Sequence, residues 1–206
     1  MPTLYDIKPR FQALLRPLVR SLAAAGVTAN QVTLAAAGLS LAVGALLAWR
    51  PESRIILLLI PVTLFVRMAL NAIDGMLARE HNQKSPLGAV LNEICDVVAD
   101  AALYLPFALL PALDPGLVVG VVVLAIVSEM TGVVAVQIGA SRRYDGPLGK
   151  SDRAFLFGLL ALLAGLNVSL FRWGDILLLI ALGLLVLTVI NRARHALAEL
   201  KGQAGS

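Results

Sequence analysis

The sequence predicts an all-α integral membrane protein, six transmembrane helices preceded by an amphipathic interfacial helix. Three observations carry this. First, 59% of the 206 residues are hydrophobic and 15% are charged, with a mean hydropathy of +0.85. A soluble chain is roughly half apolar and about a quarter charged. Second, apolar runs recur at close to the ~20 residues that cross a bilayer as a helix. Third, lysine and arginine gather on alternate connections. The length leaves no room for a separate soluble catalytic domain, so chemistry must come from the helices or their ends. One cysteine, Cys95, and two histidines, His81 and His195, exclude a disulfide framework and a thiolate or histidine-rich metal site within one chain.

Residues 1–30 form the juxtamembrane segment. Leu4, Ile7, Phe11, Leu14, Leu15, Leu18 and Leu22 recur at helical spacing, and Lys8, Arg10, Arg16 and Arg20 lie off that stripe. This pattern predicts a helix on the membrane surface, with Pro9 near its start and Pro17 bending it; packing against protein is the plainer alternative. Residues 31–190 hold six spans, about 31–49, 55–78, 88–110, 117–139, 154–170 and 176–190. Residues 191–206 are a cytoplasmic tail whose last residues, from Gly202, read as disordered. With six spans, the amino terminus, the second and fourth connections and the tail share one side. Thirteen of the 17 lysines and arginines lie there, which places both termini in the cytoplasm.

Charge inside a bilayer is costly and marks function. The second span carries Arg67, Asn71 and Asp74 on one face; the third carries Asn92, Asp96 and Asp100, with Glu93 beside them; the fourth carries Glu129. Buried polar pairs that lock helices together account for Arg67. They account poorly for the carboxylates crowded where the second span ends and the third begins. Oxygen ligands of this kind suit a hard divalent cation, Mg2+ or Mn2+. Arg67 needs a carboxylate at its own depth. If Asn71 is level with Asp96 across the antiparallel pair, Asp100 is level with Arg67, and Glu129 is the second choice.

Small residues sharpen the site. Gly75 follows Asp74, Ala78 and Arg79 follow in the next turn, and Gly88 precedes Asn92 by one turn. They allow close approach of a ligand, and Arg79 offers a planar donor to phosphate oxygens. In the fourth connection, Arg142, Arg143, Lys150 and Arg153 lie near a helix start, where an anion could bind. Positive-inside charge and a helix cap at Ser151 or Asp152 explain the same residues equally well.

The run from Asn71 through Asp74, Gly75, Ala78 and Arg79, then eight residues, then Gly88, Asn92 and Asp96 resembles the signature of the CDP-alcohol phosphotransferases. Gly26 to Thr33 resembles the segment that precedes the first span in that family. The resemblance implies transfer of a phosphatidyl group from a CDP-linked lipid, such as CDP-diacylglycerol, to an alcohol, with release of CMP. It implies Asp96 as general base, with Asp74 and Asp96 as ligands of Mg2+ or Mn2+. Gly75, Ala78, Arg79 and Gly88, with Asp74, would line the nucleotide site. Arg142, Arg143, Lys150 and Arg153 would meet a small alcohol or a phosphorylated alcohol. It also implies a homodimer, and no nucleic-acid partner is expected.

Two positions depart from the signature: Asn71 and Asn92 stand where the family has its first and third aspartates. An amide oxygen can ligate a cation but brings no charge. The expectation is that Asn71 and Asn92 remain ligands and that Glu93 compensates. Two rivals are a non-catalytic CDP-lipid-binding relative and a small transporter with Arg67, Asp100 and Glu129 as its polar path. The absence of repeats and of paired broken helices weighs against the transporter.

Overall fold

A computed structural model describes residues 4–204, with side chains described for residues 11–202. Leu4, Ile7, Lys8 and Arg10 belong to the amphipathic pattern, but their side chains lie outside that range. Seven α-helices follow one another: α1 Leu4–Ala24, α2 Ala29–Trp49, α3 Arg54–Glu80, α4 Pro86–Tyr104, α5 Pro115–Gln137, α6 Lys150–Gly165 and α7 Trp173–Ala204. A 3-10 segment, Leu105–Leu109, continues α4.

Local chemistry sets the starts. Thr28 accepts the Gln31 amide while Gln31 accepts the Thr28 amide, a reciprocal cap on α2. Ser85 accepts the Gly88 amide ahead of Pro86, the first residue of α4. Asp114 caps α5 through the Leu117 amide, ahead of Pro115, and its own N–H donates to Asp175 at the start of α7. Asp152 accepts the Gly149 amide at the start of α6.

Four helices, α2, α3, α5 and α7, are long and apolar enough to cross a membrane. The other two expected spans differ in form. The third is helical only from Pro86 to Tyr104, because Pro106 follows and the chain tightens into the 3-10 segment. The fifth starts at Lys150 and runs 16 residues. α4 carries Glu93, Asp96 and Asp100 along its length and α6 carries Lys150, Asp152 and Arg153 in its first turn, which shortens the apolar run that a hydropathy count sees. The tail is helical as well: α7 runs 32 residues, through the segment expected to be loose, to Ala204.

α2 packs against α3 and α4, α3 against α6, and α5 against α7. Aromatic rings fill the core, with Phe157 of α6 stacked on Tyr104 at 4.2 Å between centroids and edge-on to Phe107. α2 and α4 run parallel and touch closely twice. Gly44 faces the Ala102 carbonyl with no room for a side chain, and Gly88 faces the Asn30 side chain. α1 is one continuous helix through Pro17. Val19, Leu15 and Leu22 pack on Ile73, Met76 and Leu77 of α3, whereas Leu14 and Leu18 are exposed. Arg16 also pairs with Glu80 at 3.0 Å. The plainer alternative for α1, packing on protein, is thus realised on one face.

Candidate active site

The polar residues of α3 and α4 meet at the end of the bundle where α2 begins. The Asn71 amide donates to Asp96 at 3.2 Å, and one turn further in the Arg67 guanidinium bonds Asp100. Arg67 also donates to the Asp96 carbonyl at 3.1 Å. Asp74 is buried and accepts the Thr33 hydroxyl of α2 at 2.8 Å. Lys150, the first residue of α6, places its ammonium 2.5 Å from the Asp96 carboxylate. Asp96 is therefore held from two sides, by an amide and by a cation.

Three cavities adjoin here in series. One, about 320 Å3, is bounded by Thr33 and Asn30 of α2, Asp74, Gly75 and Arg79 of α3, and Gly88 and Asn92 of α4. The lack of a side chain at Gly75 has a visible use, because the Arg79 guanidinium lies over it, 3.1 Å from where a Cβ would stand. A second cavity, about 270 Å3, shares Asn92 with the first and contains Asp96, Lys150, Ser151 and Tyr144. The third is a groove of about 610 Å3 between α3 and α6, apolar along most of its length. Asn71 and Lys150 stand at its polar end.

Behind these cavities lies a chain of buried ion pairs. Arg153, fully buried, bridges Asp100 at 3.2 Å and Glu129 at 2.9 Å. Glu129 also meets Arg142 at 3.0 Å and Arg192 at 3.4 Å. Several positions thus differ from expectation. Glu93, expected among the cation ligands beside Asp96, is gripped by Arg142 through two bonds of 2.9 Å. The connection that carries Arg142 folds back over α4, which helix geometry alone does not foresee. Glu129, the second choice for Arg67, serves three other arginines. Arg153, expected to meet the acceptor, has no exposed surface.

Arg143 points away from the cavities, to Asp145 at 2.7 Å and Glu199 at 2.9 Å. Its hydrogen bonds hold the Asp145 carboxyl well below the usual range, at about 2. His195 and the Asp145 carbonyl's partner Arg192 complete the tie between this connection and α7. Sequence reasoning missed the pairing of Lys150 with Asp96 and of Thr33 with Asp74. Only the inclusion of Thr33 in the segment before the first span hinted at the second.

Among the described residues, no three histidine, cysteine or acidic side chains stand close enough to hold a metal. Asp74 and Asp96 nevertheless present hard oxygen, and Asn71 and Asn92 add amides at neighbouring positions. Such a set fits a Mg2+ or Mn2+ ion whose remaining ligands are phosphate oxygens of a bound substrate.

The family model for CDP-alcohol phosphatidyltransferase matches residues 26–196. The chain belongs to this family. It is therefore a membrane-embedded transferase of phospholipid biosynthesis, moving a substituted phosphate from a CDP-linked donor to an alcohol with loss of CMP. It is similar to the inner membrane protein YnbA of Escherichia coli (strain K12), 50% identical over 95% of this chain and 96% of that protein. It is also 35% identical to the phosphatidylinositol phosphate synthase of Corynebacterium glutamicum over 49% of this chain and 44% of that one. Two crystal structures of the Mycobacterium tuberculosis phosphatidylinositol phosphate synthase share the fold. The form with CDP-DAG bound has a TM-score of 0.69 at 20% identity, covering 87% of this chain and 92% of that one. The complex with manganese and citrate has a TM-score of 0.68 at 21% identity, covering 87% of each. Within the CDP-alcohol phosphatidyltransferase match lie all the residues lining the three cavities.

Proposed function

We propose that the donor is CDP-diacylglycerol and that the three cavities divide the reaction between them. The observation that carries this is that the mixed pocket of Asp96 adjoins both others, sharing Asn92 with the polar pocket and Lys150 and Ser151 with the apolar groove. The nucleotide occupies the pocket of Asp74, Gly75, Ala78, Arg79 and Gly88. A fatty chain lies in the groove past Leu64, Phe65, Ala154 and Phe155. The alcohol enters beside Asp96, which takes its proton. Arg79 meets the donor's phosphates, and Lys150 offers a second positive charge where the groove and the mixed pocket join. A Mg2+ or Mn2+ ion held by Asp74 and Asp96, with Asn71 and Asn92 as neutral ligands, would neutralise charge on the phosphate oxygens.

The distribution of lysine and arginine supports six spans, with α4 and α6 as the two shorter ones, and a site facing the cytoplasm. The exposed Leu14 and Leu18 on α1 support an interfacial position for that helix. The homodimer is proposed from the resemblance alone.

The test is purified protein with CDP-diacylglycerol, Mg2+ and a panel of alcohols, reading CMP and lipid product by mass. CMP release with one or more alcohols is the expected result. Metal-dependent binding of the CDP-lipid with no CMP from any alcohol would favour the non-catalytic relative. A related expectation concerns the ion. With only two carboxylates, calorimetry should show weak Mg2+ binding to the empty protein and binding at least ten times tighter once a CDP-lipid is present. Tight binding of two ions to the empty protein would sink it.

A further inference from the structure

We infer that Glu199, near the end of α7, is a positioning residue for the acceptor: it holds the connection between α5 and α6 so that Arg142 and Tyr144 face the pocket of Asp96. The inference rests on the reading of that pocket as the acceptor site, and it applies to a neutral and an anionic alcohol alike.

The residues of this connection divide alternately. Arg142 and Tyr144 line the pocket. Ser141, Arg143 and Asp145 turn to α7 instead. Residues 141–145 form no helix or turn, and successive side chains of an extended chain point to opposite sides. A strip gripped along one edge therefore presents the other.

α7 supplies the grip as a single stripe. Thr188, Arg192, His195 and Glu199 recur at intervals of four, three and four residues, which puts them on one face of the helix. The connection runs along that face in the opposite direction. The Leu148 N–H donates to the Thr188 hydroxyl at 3.1 Å. Gly146, at a φ of +124°, lies so close to Thr188 that a Cβ would stand 2.5 Å from its Cγ2. Arg192 donates to the Asp145 carbonyl at 3.1 Å, and His195 Nδ1 lies 3.2 Å from the Asp145 carboxylate.

Glu199 closes the row. One of its oxygens accepts the Ser141 N–H at 3.0 Å; the other accepts the Ser141 hydroxyl at 2.8 Å and the Arg143 guanidinium at 2.9 Å. Arg142 stands between these two clasped residues, and its side chain leaves on the other side. It crosses Gly132 of α5, where a Cβ would stand 1.6 Å from Nη1, and reaches Glu93 and Glu129. Arg143 also pairs with Asp145, but that residue lies on the same connection. Among the described residues, no polar contact other than those of Glu199 ties residues 141–143 to α7. Removing this carboxylate frees the backbone on both sides of Arg142 and leaves Asp96 and the pocket of Asp74 and Arg79 untouched.

The test uses the full chain in lipid nanodiscs with CDP-diacylglycerol, Mg2+ and an alcohol that releases CMP. KM is measured for the alcohol and for the CDP-lipid in wild type, Glu199→Ala, Ser141→Ala and the double variant, with Lys201→Ala, a neighbour on α7, as control. Hydrogen exchange is read over residues 140–146 without substrates. For Glu199→Ala the expected alcohol KM is about tenfold higher, as displaced positioning groups produce, with the CDP-lipid KM within about twofold of wild type. Exchange should quicken over residues 140–146 and stay unchanged in α3 and α4. Ser141→Ala should raise the alcohol KM less, and the double variant should match Glu199→Ala, because both substitutions act on one contact. An unmoved alcohol KM in Glu199→Ala would overturn the inference. So would a parallel rise in both KM values with a lowered melting temperature, the mark of a general structural role. Should Glu199→Ala not fold, an alcohol KM unchanged in Ser141→Ala overturns it equally. Absence of CMP from every alcohol sinks the enzyme reading, whereas CMP release with an unmoved alcohol KM sinks this inference alone.

Discussion

Asp96→Asn is expected to lower CMP release by about a hundredfold to ten-thousandfold, the range a positioned base supplies, while leaving the fold in place and CDP-lipid binding detectable, weakened only through the loss of one carboxylate ligand to the cation. The amide keeps the shape of the carboxylate and can still accept the bond from Asn71. It cannot take a proton from an alcohol, and it loses the charge that draws Lys150 to 2.5 Å. Thermal melting and CDP-lipid binding serve as the check on folding. Turnover close to wild type in a well-folded Asp96→Asn protein would remove this residue from the base role and return attention to Asp74.

The largest effect on stability is expected at Glu129. Its carboxylate lies within 3.4 Å of three guanidiniums, those of Arg142, Arg153 and Arg192, and two of these are almost wholly buried. Breaking a buried pair by removing one partner costs about 3–5 kcal/mol, because the remaining charge is left uncompensated. Glu129→Leu should therefore melt far below wild type in detergent. Glu129→Gln, which keeps the volume and some hydrogen bonds, should show nearly the same loss if charge is the cause. A Gln variant as stable as wild type would mean that packing, not charge, is what this side chain supplies.

Legibility in the sequence followed the range of the interaction. The facing of α3 and α4 could be read because their polar residues repeat at one-turn spacing and the loop between them is short. Depth along the two helices then sets Arg67 opposite Asp100, and the two side chains do meet. Caps at Thr28 and Ser85 are local as well. Contacts made by the connection before α6 were not readable. On an ideal helix Glu93 lies near Asp96, yet Arg142 captures it from a segment far along the chain. Lys150 read equally as positive-inside charge and as part of an acceptor anion site, and only the packing of α6 on α3 brings it to Asp96. The end of α4 was overrun because hydropathy continues through Pro106 while the helical hydrogen bonding does not. α4 falls short as a long apolar helix because Glu93, Asp96 and Asp100 interrupt it, and α6 because it runs only 16 residues.

The paired close approaches of α2 and α4 have a mechanical consequence. Asn30 meets Gly88 beside the pocket of Asp74 and Arg79, and Gly44 meets Ala102 fourteen residues further along each helix, about 20 Å away at 1.5 Å per residue. At the far contact, backbone rests against backbone, with no flexible side chain between to act as a bearing. The two rods are thereby prevented from sliding lengthwise past one another. If the nucleotide occupies the pocket at Gly88, its admission and the departure of CMP are expected to proceed by splaying at that end about a fixed pin, the motion of tongs rather than of a drawer.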